Sequence, residues 1–511
     1  MLNSHWKQFK SGSDIRAVAT DDISDEKINL TNDAVTKTCL AFAEWLSRKM
    51  KLIYPSITIA IGNDPRNSAM RIKTAAINAF RSVGVQVCDC GLASTPAMFL
   101  ATRVLACTAA IEITASHHPK NRNGFKFFIV SGGLSEDDIE DILEMAQNEK
   151  SPKLAEEEGS VRSINVMNYY SEKLRRLVKE GVNLQDDYDL PLKGFKIVVD
   201  AGNGAGGFFA NDVLKELGAD VTGSIFLEPD GNFPNHMPNP EDAVAMKSII
   251  EATLNSGADL GIIFDTDVDR ASVVNSNGKI ISKNKLIALA SSIVLEKNPG
   301  GIIVTDSCTS DNLKAFIEKL GGNQFRFKRG YHNVIEMGKK INENGADCPL
   351  AIEASGHAAF KENDFMDDGA YLAAKIIIKM VQLKKEGRTI DDLLKNLIDA
   401  REQATLRIGI NFEDVLSAAK KVLGDFKNHA KSTKFFELEE DNIEGVRVNF
   451  NAHHHKGWCL LRQSIHDPNL VLYVESYVDG GIASILNLLK PFLSKYPFLA
   501  SSEINNFGVK K

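Results

Sequence analysis

Short apolar runs alternate with longer amphipathic stretches along most of the chain, and this alternation restarts several times. The runs have the length of buried strands and end in turn residues, whereas the stretches between them have helical periodicity. Repeated units of this kind predict an α/β fold. The predicted strands are 57–61, 109–113, 196–199, 260–264, 301–305 and 349–352, and the predicted helices are 71–83, 137–148, 210–217, 285–295 and 312–319.

Polar segments rich in turn residues divide this pattern into four parts. The main breaks lie at 186–194, near 298–300 and near 403–407, and the pattern after the last break is typical of an α+β unit. A chain of 511 residues is long enough for about three or four domains. We therefore expect four domains, at 1–188, 189–297, 298–405 and 406–511.

The composition, 43% hydrophobic and 25% charged, is that of an ordinary globular protein. A net charge of -7 argues against non-specific binding to nucleic acid or to an anionic membrane, so local arginines and lysines must bind any anionic ligand. Residues 1–16 lack the apolar core of a signal peptide, and the most apolar helix-like run, 370–383, is interrupted by Lys375 and Lys379. We expect a cytoplasmic protein without a membrane partner.

Seven cysteines form an odd set without the spacing of metal ligands. The nearest approach to a motif is Cys88-Asp89-Cys90, for which zinc binding is one interpretation. A reduced, partly buried pair in a cytosolic protein is the interpretation we favour, and we expect no disulfide framework.

The strongest chemical signal is a serine in the segment Thr114-Ala115-Ser116-His117-His118-Pro119. It follows the predicted strand 109–113 and precedes Asn123-Gly124-Phe125-Lys126. A hydroxyl held at a strand end, with two imidazoles and an amine close by in sequence, is typical of a nucleophile presented for covalent catalysis.

A second strand, 260–264, runs directly into Asp265-Thr266-Asp267-Val268-Asp269-Arg270. Three carboxylates at alternate positions offer the hard oxygen ligands that Mg²⁺ prefers. An EF-hand is excluded because Arg270 stands where its loop needs glycine, and because a strand precedes the loop. A solvated acidic turn is the alternative.

Two further clusters are weaker signals. Glu353-Ala354-Ser355-Gly356-His357 groups a carboxylate, a hydroxyl and an imidazole that could bind sugar hydroxyls and transfer a proton, although a helix start with a capping serine gives the same pattern. Arg462 and Ser464 precede the predicted strand 470–474 and could bind a phosphate, although a surface turn is equally compatible.

Together these segments resemble the α-D-phosphohexomutase family of phosphomannomutases, phosphoglucomutases and phosphoglucosamine mutases. The family's serine loop matches 114–119 and 123–126, apart from His118 where the family has asparagine. Its metal loop matches 265–270 in full, its sugar loop matches 353–357, and the order along the chain is the same. The resemblance implies four domains around a central cleft, three similar mixed α/β domains followed by an α+β C-terminal domain.

The chain departs from the family pattern in two places. In the phosphate loop, Ile465 and His466 replace a small residue and a threonine, and we hypothesise that protonated His466 supplies the missing donor. The N-terminal family signature is reduced, so that only Arg16 carries over.

The resemblance implies a phosphohexomutase that interconverts hexose 1-phosphates and hexose 6-phosphates of mannose or glucose. Ser116 would carry a phosphoryl group and give a hexose 1,6-bisphosphate intermediate, which is also the expected activator. The implied catalytic residues are Ser116, His117, Lys126, Arg16, His357 and Arg270; the Mg²⁺ ligands are Ser116, Asp265, Asp267 and Asp269; Glu353 and Ser355 bind the sugar; and Arg462, Ser464 and His466 bind phosphate.

Two alternatives to this activity stay open. A phosphoglucosamine mutase shares most of the same motifs, and an inactive sugar-phosphate-binding or scaffold relative could retain the fold. The second alternative is disfavoured because the serine and all three aspartates are present. For either enzyme we expect sugar phosphates as the only partners, no nucleic acid, and a monomer or homodimer.

Overall fold

The computed structural model describes residues 1–23, 26–150, 152–440, 442–452, 455–464 and 468–500. Four β-sheets occur along this part of the chain, in sequence order, and the first three combine parallel with antiparallel pairing. Among the described residues no helix is long and apolar enough to cross a membrane.

The first unit is an eight-stranded sheet with the order β1-β2-β6-β5-β3-β4-β8, in which β7 pairs with β6. Strands β3, β4 and β5 are parallel, and β6 returns antiparallel to β5. The strands are β1 (Lys10–Ser11), β2 (Asp14–Val18), β3 (Thr58–Asn63), β4 (Gln86–Leu92), β5 (Ala109–Ile113), β6 (Arg122–Ile129), β7 (Gly132–Gly133) and β8 (Val161–Ser163), and the helices are α1 (Ser4–Lys7), α2 (Asn32–Met50), α3 (Ala69–Ser82), α4 (Thr95–Val104), α5 (Glu136–Gln147) and α6 (Val166–Val182).

The second and third units each contain a four-stranded sheet, ordered β12-β11-β10-β9 and β14-β13-β15-β16. The second consists of β9 (Ile197–Asp200), α7 (Ala243–Ser256), β10 (Leu260–Phe264), β11 (Ala271–Asn275) and β12 (Ile280–Ile281). The third consists of α8 (Asn284–Leu295), β13 (Ile302–Asp306), α9 (Asp311–Lys319), β14 (Asn323–Phe327), α10 (Tyr331–Glu343), β15 (Leu350–Ile352), β16 (Ala358–Phe360), α11 (Gly369–Lys385) and α12 (Ile390–Leu394).

One structural device recurs in these three units. The last parallel strand of each sheet turns back into an antiparallel neighbour, β5 into β6, β10 into β11 and β15 into β16. The three connecting loops are 114–121, 265–270 and 353–357, which are the segments that carry the predicted chemistry. Each loop is therefore anchored at both ends by a buried strand, which limits its movement.

The C-terminal unit has a different sheet, fully antiparallel and ordered β17-β21-β20-β19-β18. Its elements are β17 (Glu402–Gly409), α13 (Val415–Ser432), β18 (Glu437–Leu438), β19 (Val446–Phe450), β20 (Gly457–Gln463), β21 (Asn469–Ser476) and α14 (Gly481–Leu493). Strand β17 spans the predicted boundary between residues 405 and 406.

The packing of the four units is not uniform. One apolar core continues through all three α/β units, as shown by the buried side chains of Leu174, Phe209 and Ile377 within it. The C-terminal unit has a separate core between its sheet and α13 and α14, with Phe426 and Leu489 among its members. The mixed α/β units and the α+β C-terminal unit expected from the sequence are confirmed.

Most predicted elements agree with the structure, and 109–113 and 260–264 agree to the residue. The predicted helical segment 210–217 is helical in the structure, but as a π-helix at Phe209–Leu214 followed by a 3-10 turn at Lys215–Leu217 rather than as a regular α-helix. A π-turn holds more residues than an α-turn, and it keeps Phe209, Ala210, Val213 and Leu214 all buried. The returning strands β6, β11 and β16 were not predicted.

Candidate active site

Ser116 lies in the loop that follows β5, and its backbone is unusual. Its φ angle of 50° falls in the left-handed region, which residues other than glycine seldom adopt, and its side chain is buried. Thr114 Oγ1 accepts a hydrogen bond from the Ser116 N–H at 2.8 Å. The serine Oγ lies 3.1 Å from Asp265 Oδ2 and 3.2 Å from His117 Nδ1, so the serine meets the acidic loop of the next unit.

The Arg66 side chain binds the backbone of this loop. Its guanidinium donates to the carbonyl oxygens of Ser116, of His118 at 2.7 Å, of Pro119 at 2.7 Å and of Arg122 at 2.9 Å. Asp64, fully buried beside it, fixes the orientation of the guanidinium through a 3.1 Å contact with Nε. A single side chain thus bonds four carbonyls of one loop, which maintains the strained conformation of the serine.

Asp265, Asp267 and Asp269 are fully buried in the loop after β10. The Lys126 ammonium, carried by β6, donates to Asp267 Oδ2 at 2.8 Å and also to Asp269 Oδ2. Thr95, at the start of α4, donates its hydroxyl to Asp267 Oδ2 at 2.6 Å and its N–H to the Asp267 carbonyl at 2.9 Å. Two residues of the first unit, Lys126 and Thr95, therefore bind a loop of the second unit.

The acidic loop has the donor set of a cation site. The three carboxylates each place an oxygen within 4.8 Å of the others. The Oδ1 atoms of Asp267 and Asp269 are buried without a hydrogen-bond partner, although buried oxygens of this kind are normally bonded. Hard oxygen ligands with unused lone pairs suit Mg²⁺, so the residues present fit such an ion.

The charges in this loop perturb one another. Burial and repulsion from Asp269 raise the pKa of Asp265 well above its usual range, against the attraction of Arg270. Burial also acts to raise the pKa of Asp269, but the nearby Lys126 and His357 outweigh it, and the net shift is downward. A bound divalent cation would relieve the repulsion between these groups.

Arg270 connects the acidic loop to the serine. Its Nε donates to Asp265 Oδ2 at 2.9 Å, and its Nη2 lies 3.4 Å from Ser116 Oγ.

Burial lowers the pKa of His117 well below its usual range, and the charges of Arg270 and Arg16 act in the same direction. His117 is therefore neutral at physiological pH and can accept a proton beside the serine.

The loop 353–357 of the third unit lies directly on this site. His357 Nδ1 bonds Asp367 Oδ2 at 2.6 Å and lies 3.8 Å from Asp269 Oδ2. Burial acts to lower the His357 pKa, but the two aspartates raise it to about 9, so this histidine is a proton donor at neutral pH. Gly356 has a φ of 98°, and a Cβ there would meet the Ala271 carbonyl oxygen at 2.7 Å, so only glycine fits.

Arg16 reaches the same region from β2. Its Nη2 bonds Asp14 Oδ2 at 2.8 Å, and Asp14 Oδ1 accepts a 2.7 Å hydrogen bond from the Tyr331 hydroxyl. The Tyr331 ring stacks on His357 with centroids 5.2 Å apart. Tyr331 therefore connects the N-terminal strand to the third unit.

Glu353 and Ser355 point into the same cleft. Glu353 accepts hydrogen bonds from the Gly330 N–H at 2.6 Å and from the Ser355 hydroxyl at 3.2 Å, which fixes the carboxylate while leaving lone pairs for a ligand. Both residues are largely buried, as expected for groups that bind a small polar ligand.

The C-terminal unit contributes Arg462 and Ser464 from the end of β20. Arg462 Nη2 bonds the Tyr473 hydroxyl at 3.2 Å, and Arg329 of the third unit donates to the same hydroxyl at 2.7 Å. Two guanidinium groups thus meet at one phenol, an arrangement that favours an anion nearby. Ile465 and His466 lie outside the described residues.

All four units line one cleft of about 330 Å³. Its walls include the predicted residues Arg16, His117, Arg270, Glu353, Ser355, His357, Arg462 and Ser464. Ser116, Lys126 and the three aspartates lie behind the wall and are joined to it through His117, Arg270 and His357. The structure thus brings the described predicted residues together.

Sequence reasoning missed several residues of this site, namely Arg66, Thr95, Arg329, Tyr331, Arg407 and Tyr473. Only Arg66 had a usable signal. Asp64-Pro65-Arg66 follows β3, whose carboxyl end lies beside that of β5, so the rule that drew attention to the serine loop applies to it as well. The others depend on contacts between distant parts of the chain.

Comparisons with known proteins agree with this geometry. Three family models match the chain, described as phosphoglucomutase/phosphomannomutase α/β/α domains I, II and III, over residues 9–153, 170–278 and 282–400. The phosphomannomutase/phosphoglucomutase of Pseudomonas syringae is 32% identical over 89% of this chain and 91% of its own length.

The phosphomannomutase/phosphoglucomutase of Pseudomonas aeruginosa is also 32% identical, over 93% of both chains. Among solved structures, a phosphoglucomutase/phosphomannomutase family protein from Burkholderia thailandensis superposes with a TM-score of 0.78 at 27% identity. That superposition covers 97% of this chain and 98% of the other. The similarity therefore extends over all four units.

Proposed function

Because the chain belongs to the phosphoglucomutase/phosphomannomutase family, we propose that it interconverts the 1-phosphates and 6-phosphates of glucose and mannose. The activity is that of an intramolecular phosphotransferase. The observation that supports it best is the position of Ser116 Oγ, 3.1 Å from Asp265 Oδ2 and within reach of Arg270. A hydroxyl beside acidic cation ligands and a guanidinium is suited to carry a phosphoryl group.

In the proposed reaction, a phosphoryl group on Ser116 passes to the free hydroxyl of the bound sugar phosphate and leaves a hexose 1,6-bisphosphate. The bisphosphate turns end for end and returns its other phosphoryl group to Ser116. A bisphosphate added from solution would phosphorylate an unmodified serine, which explains the expected need for an activator.

Asp265, Asp267 and Asp269 would hold Mg²⁺ together with an oxygen of the phosphoryl group on Ser116. When bound, the ion neutralises negative charge on the group that is transferred. Arg270 adds positive charge on the serine side, and Arg16 extends the positive field along the cleft.

His357 and Lys126 are the proposed proton carriers, and His117 holds the serine side. His357 is held by Asp367 and enters the cycle protonated, so it can donate a proton at the sugar oxygen. Lys126 bonds Asp267 and Asp269 close to the serine and is the second proposed proton carrier. His117 is neutral beside Ser116 Oγ and orients the hydroxyl.

Sugar recognition is assigned to Glu353 and Ser355, which would bind the O3 and O4 hydroxyls that glucose and mannose share. Arg462, Ser464 and His466 would bind the phosphate that does not react, assisted by Arg329. Because the pocket must accept the bisphosphate in both orientations, its contacts should involve groups common to both. The C-terminal unit would open for the turn and close to exclude water.

A comparison of three substrates tests the proposal. Turnover of glucose 1-phosphate, mannose 1-phosphate and glucosamine 1-phosphate is measured with Mg²⁺ and the matching 1,6-bisphosphate. We expect higher kcat/KM for glucose and mannose than for glucosamine. Highest turnover on glucosamine 1-phosphate would assign the chain to phosphoglucosamine mutases, and turnover on none of them would indicate a binding protein.

A further inference from the structure

The cysteines of the first unit are not arranged as their spacing suggests. All seven cysteines are free, and the thiol of Cys90 is directed at the Cys88 carbonyl oxygen, 3.7 Å away, rather than at its sulfur. The partner of Cys88 is Cys107, whose Sγ lies 3.7 Å from Cys88 Sγ. The cysteines in contact are therefore Cys88 and Cys107, not Cys88 and Cys90 as the sequence suggested.

The topology explains why these two cysteines meet. Cys88 is in the middle of β4, and Cys107 belongs to the short connection between α4 and β5. Strand β3 pairs with both β4 and β5, so the two residues flank the same strand. Since Cys107 lies outside regular structure, its side chain can move without breaking a ladder, and bond formation at about 2.05 Å needs a shift of less than about 2 Å.

A guanidinium group covers this pair. Arg162 Nε lies 3.1 Å from Cys88 Sγ, and Arg162 belongs to β8, a three-residue strand at the edge of the sheet with exposed side chains. The two cysteines are 0% and 4% exposed. Arg162 is thus the exposed, charged group in direct contact with this otherwise buried pair.

Electrostatics distinguishes Cys88 from its neighbours. The hydrogen bond from Cys107 and the hydrogen bond and charge of Arg162 lower the pKa of Cys88 below its usual range, against the effect of burial. Burial raises the pKa of Cys90 to about 12. Cys88 lies between a thiol and a cation, and a cation beside a thiol favours its thiolate form, so Cys88 is the member of the pair more disposed to act as the nucleophile.

We propose that Cys88 and Cys107 form a modification site, a dithiol that a hydroperoxide converts into an intramolecular disulfide. The geometry supports this pair because its sulfurs are in contact and one of them faces a guanidinium. None of these residues lines the cleft, so the site is distinct from the catalytic machinery.

The chemistry balances in two steps. The Cys88 thiolate attacks the O–O bond of the hydroperoxide, which becomes an alcohol or water after protonation, and Cys88 is oxidised to a sulfenic acid. Cys107 then attacks the Cys88 sulfur, the S–S bond forms, and the S–O bond breaks. The leaving hydroxide takes the Cys107 proton, so two thiols and one hydroperoxide give a disulfide, an alcohol and water.

The test is peptide mapping of the full chain after treatment with hydrogen peroxide, blocking of the remaining thiols and digestion with trypsin without reduction. Trypsin releases residues 82–103, which contain Cys88 and Cys90, and residues 104–120, which contain Cys107. We expect these two peptides to be linked, and dithiothreitol to separate them. Recovery of both peptides unlinked, with Cys88 blocked as a thiol or oxidised to sulfinic acid, would overturn the proposal.

Variants identify the sulfurs and the role of the arginine. Cys90→Ser should still give the link, whereas loss of the link would assign it to Cys90 and refute the pairing. In Cys107→Ser, oxidation should stop at a sulfenic acid on Cys88, which dimedone traps. The absence of a dimedone adduct on Cys88 would refute the first step. Arg162→Gln should slow linkage roughly three- to tenfold.

A matched control is Arg388→Gln, which removes an exposed arginine paired with Glu386. It should leave the rate of linkage unchanged. Equal rates for both arginine variants would contradict the activating role of Arg162. The wild-type mapping needs no substitution, so the proposal stays testable even if a cysteine variant fails to fold.

Discussion

The three α/β units and the C-terminal unit are joined to their neighbours in different ways. A continuous apolar core unites the first three units, and their loops exchange buried hydrogen bonds such as Lys126 to Asp267. The C-terminal unit meets the third mainly through charged groups: Arg326 with Glu439 at 3.0 Å, and Arg447 with Asp311 at 3.1 Å. A small apolar cluster of Cys308, Trp458 and Leu460 accompanies them.

This difference separates two requirements of the proposed reaction. Phosphoryl transfer needs groups held within a fraction of an ångström, which shared apolar packing provides. Turning an intermediate around needs a part that can move away, and polar groups, unlike an apolar core, regain hydrogen bonds from water when they separate. In the proposed scheme the chemistry therefore belongs to the units that share a core, and the phosphate-binding residues belong to the unit with a separate core.

The largest expected effect follows from removing the nucleophile in the units that share a core. Ser116→Ala should lower turnover by roughly 10⁴-fold or more, because it removes the hydroxyl beside Asp265 that would carry the phosphoryl group. The measurement is kcat with glucose 1-phosphate, with the midpoint of thermal unfolding as the check on folding. Turnover near wild type would contradict the phosphoserine scheme.

Removal of one cation ligand should have the next largest effect. Asp267→Asn should lower kcat by about 10²–10³-fold and weaken Mg²⁺ binding measured by calorimetry, because the amide carries no charge. Asp212→Asn, an exposed acid on the π-helix, is the matched control and should change neither quantity. Equal Mg²⁺ affinity in the two variants would remove the acidic loop as the cation site.

A substitution of Arg66 tests whether the position of the serine loop affects turnover. Arg66→Lys keeps the charge but cannot bond four carbonyls, so we expect kcat to fall about tenfold to 10²-fold with KM changed little. The control is Arg71→Lys, because Arg71 also donates to two carbonyls, those of Ala19 and Leu30, but away from the serine loop.

Both arginine variants should lose stability, Arg66→Lys more than Arg71→Lys because Arg66 has more buried hydrogen bonds, but only the first should lose kcat at a temperature where both are folded. An equal fall of kcat in both would mean that Arg66 acts through general stability. The split between kcat and the unfolding midpoint is therefore the informative quantity.

The same contrast explains how far the sequence could predict this molecule. The serine and aspartate loops were predictable because each follows a strand whose apolar run is unbroken, and because alternating aspartates have few structural uses. Strand β11 was not predicted because Ser272 and Asn275 interrupt its apolar run, and β16 because it has only three residues, although both strands are buried.

Residues that join two units gave no signal either. Tyr331 acquires its role only when its hydroxyl meets Asp14, more than 300 positions earlier in the chain, and Thr95 only when Asp267 reaches the start of α4. Such contacts are set by tertiary packing, which periodicity does not encode. Arg329 and Tyr473 belong to the same class, at the junction with the C-terminal unit.

The smallest expected effect concerns that junction. Glu439→Gln removes the charge that pairs with Arg326 across the interface and with Arg447 inside the C-terminal unit, at a site where Glu439 is about a quarter exposed. A partly exposed pair contributes up to about 1 kcal/mol to the stability of the closed position. Its loss should lower the ratio of closed to open molecules by up to roughly fivefold. KM for the sugar phosphate should then rise about two- to fivefold, with kcat nearly unchanged.

Glu440→Gln is the control, because Glu440 pairs with Lys427 and Lys431 inside the C-terminal unit. The radius of gyration from small-angle scattering should increase for Glu439→Gln alone. If neither KM nor the radius changes, the polar contacts do not hold the unit closed, and the apolar cluster around Trp458 must do so. Loosening the junction would then require substitution of Leu460 rather than of a charge, because that side chain is fully buried in the cluster.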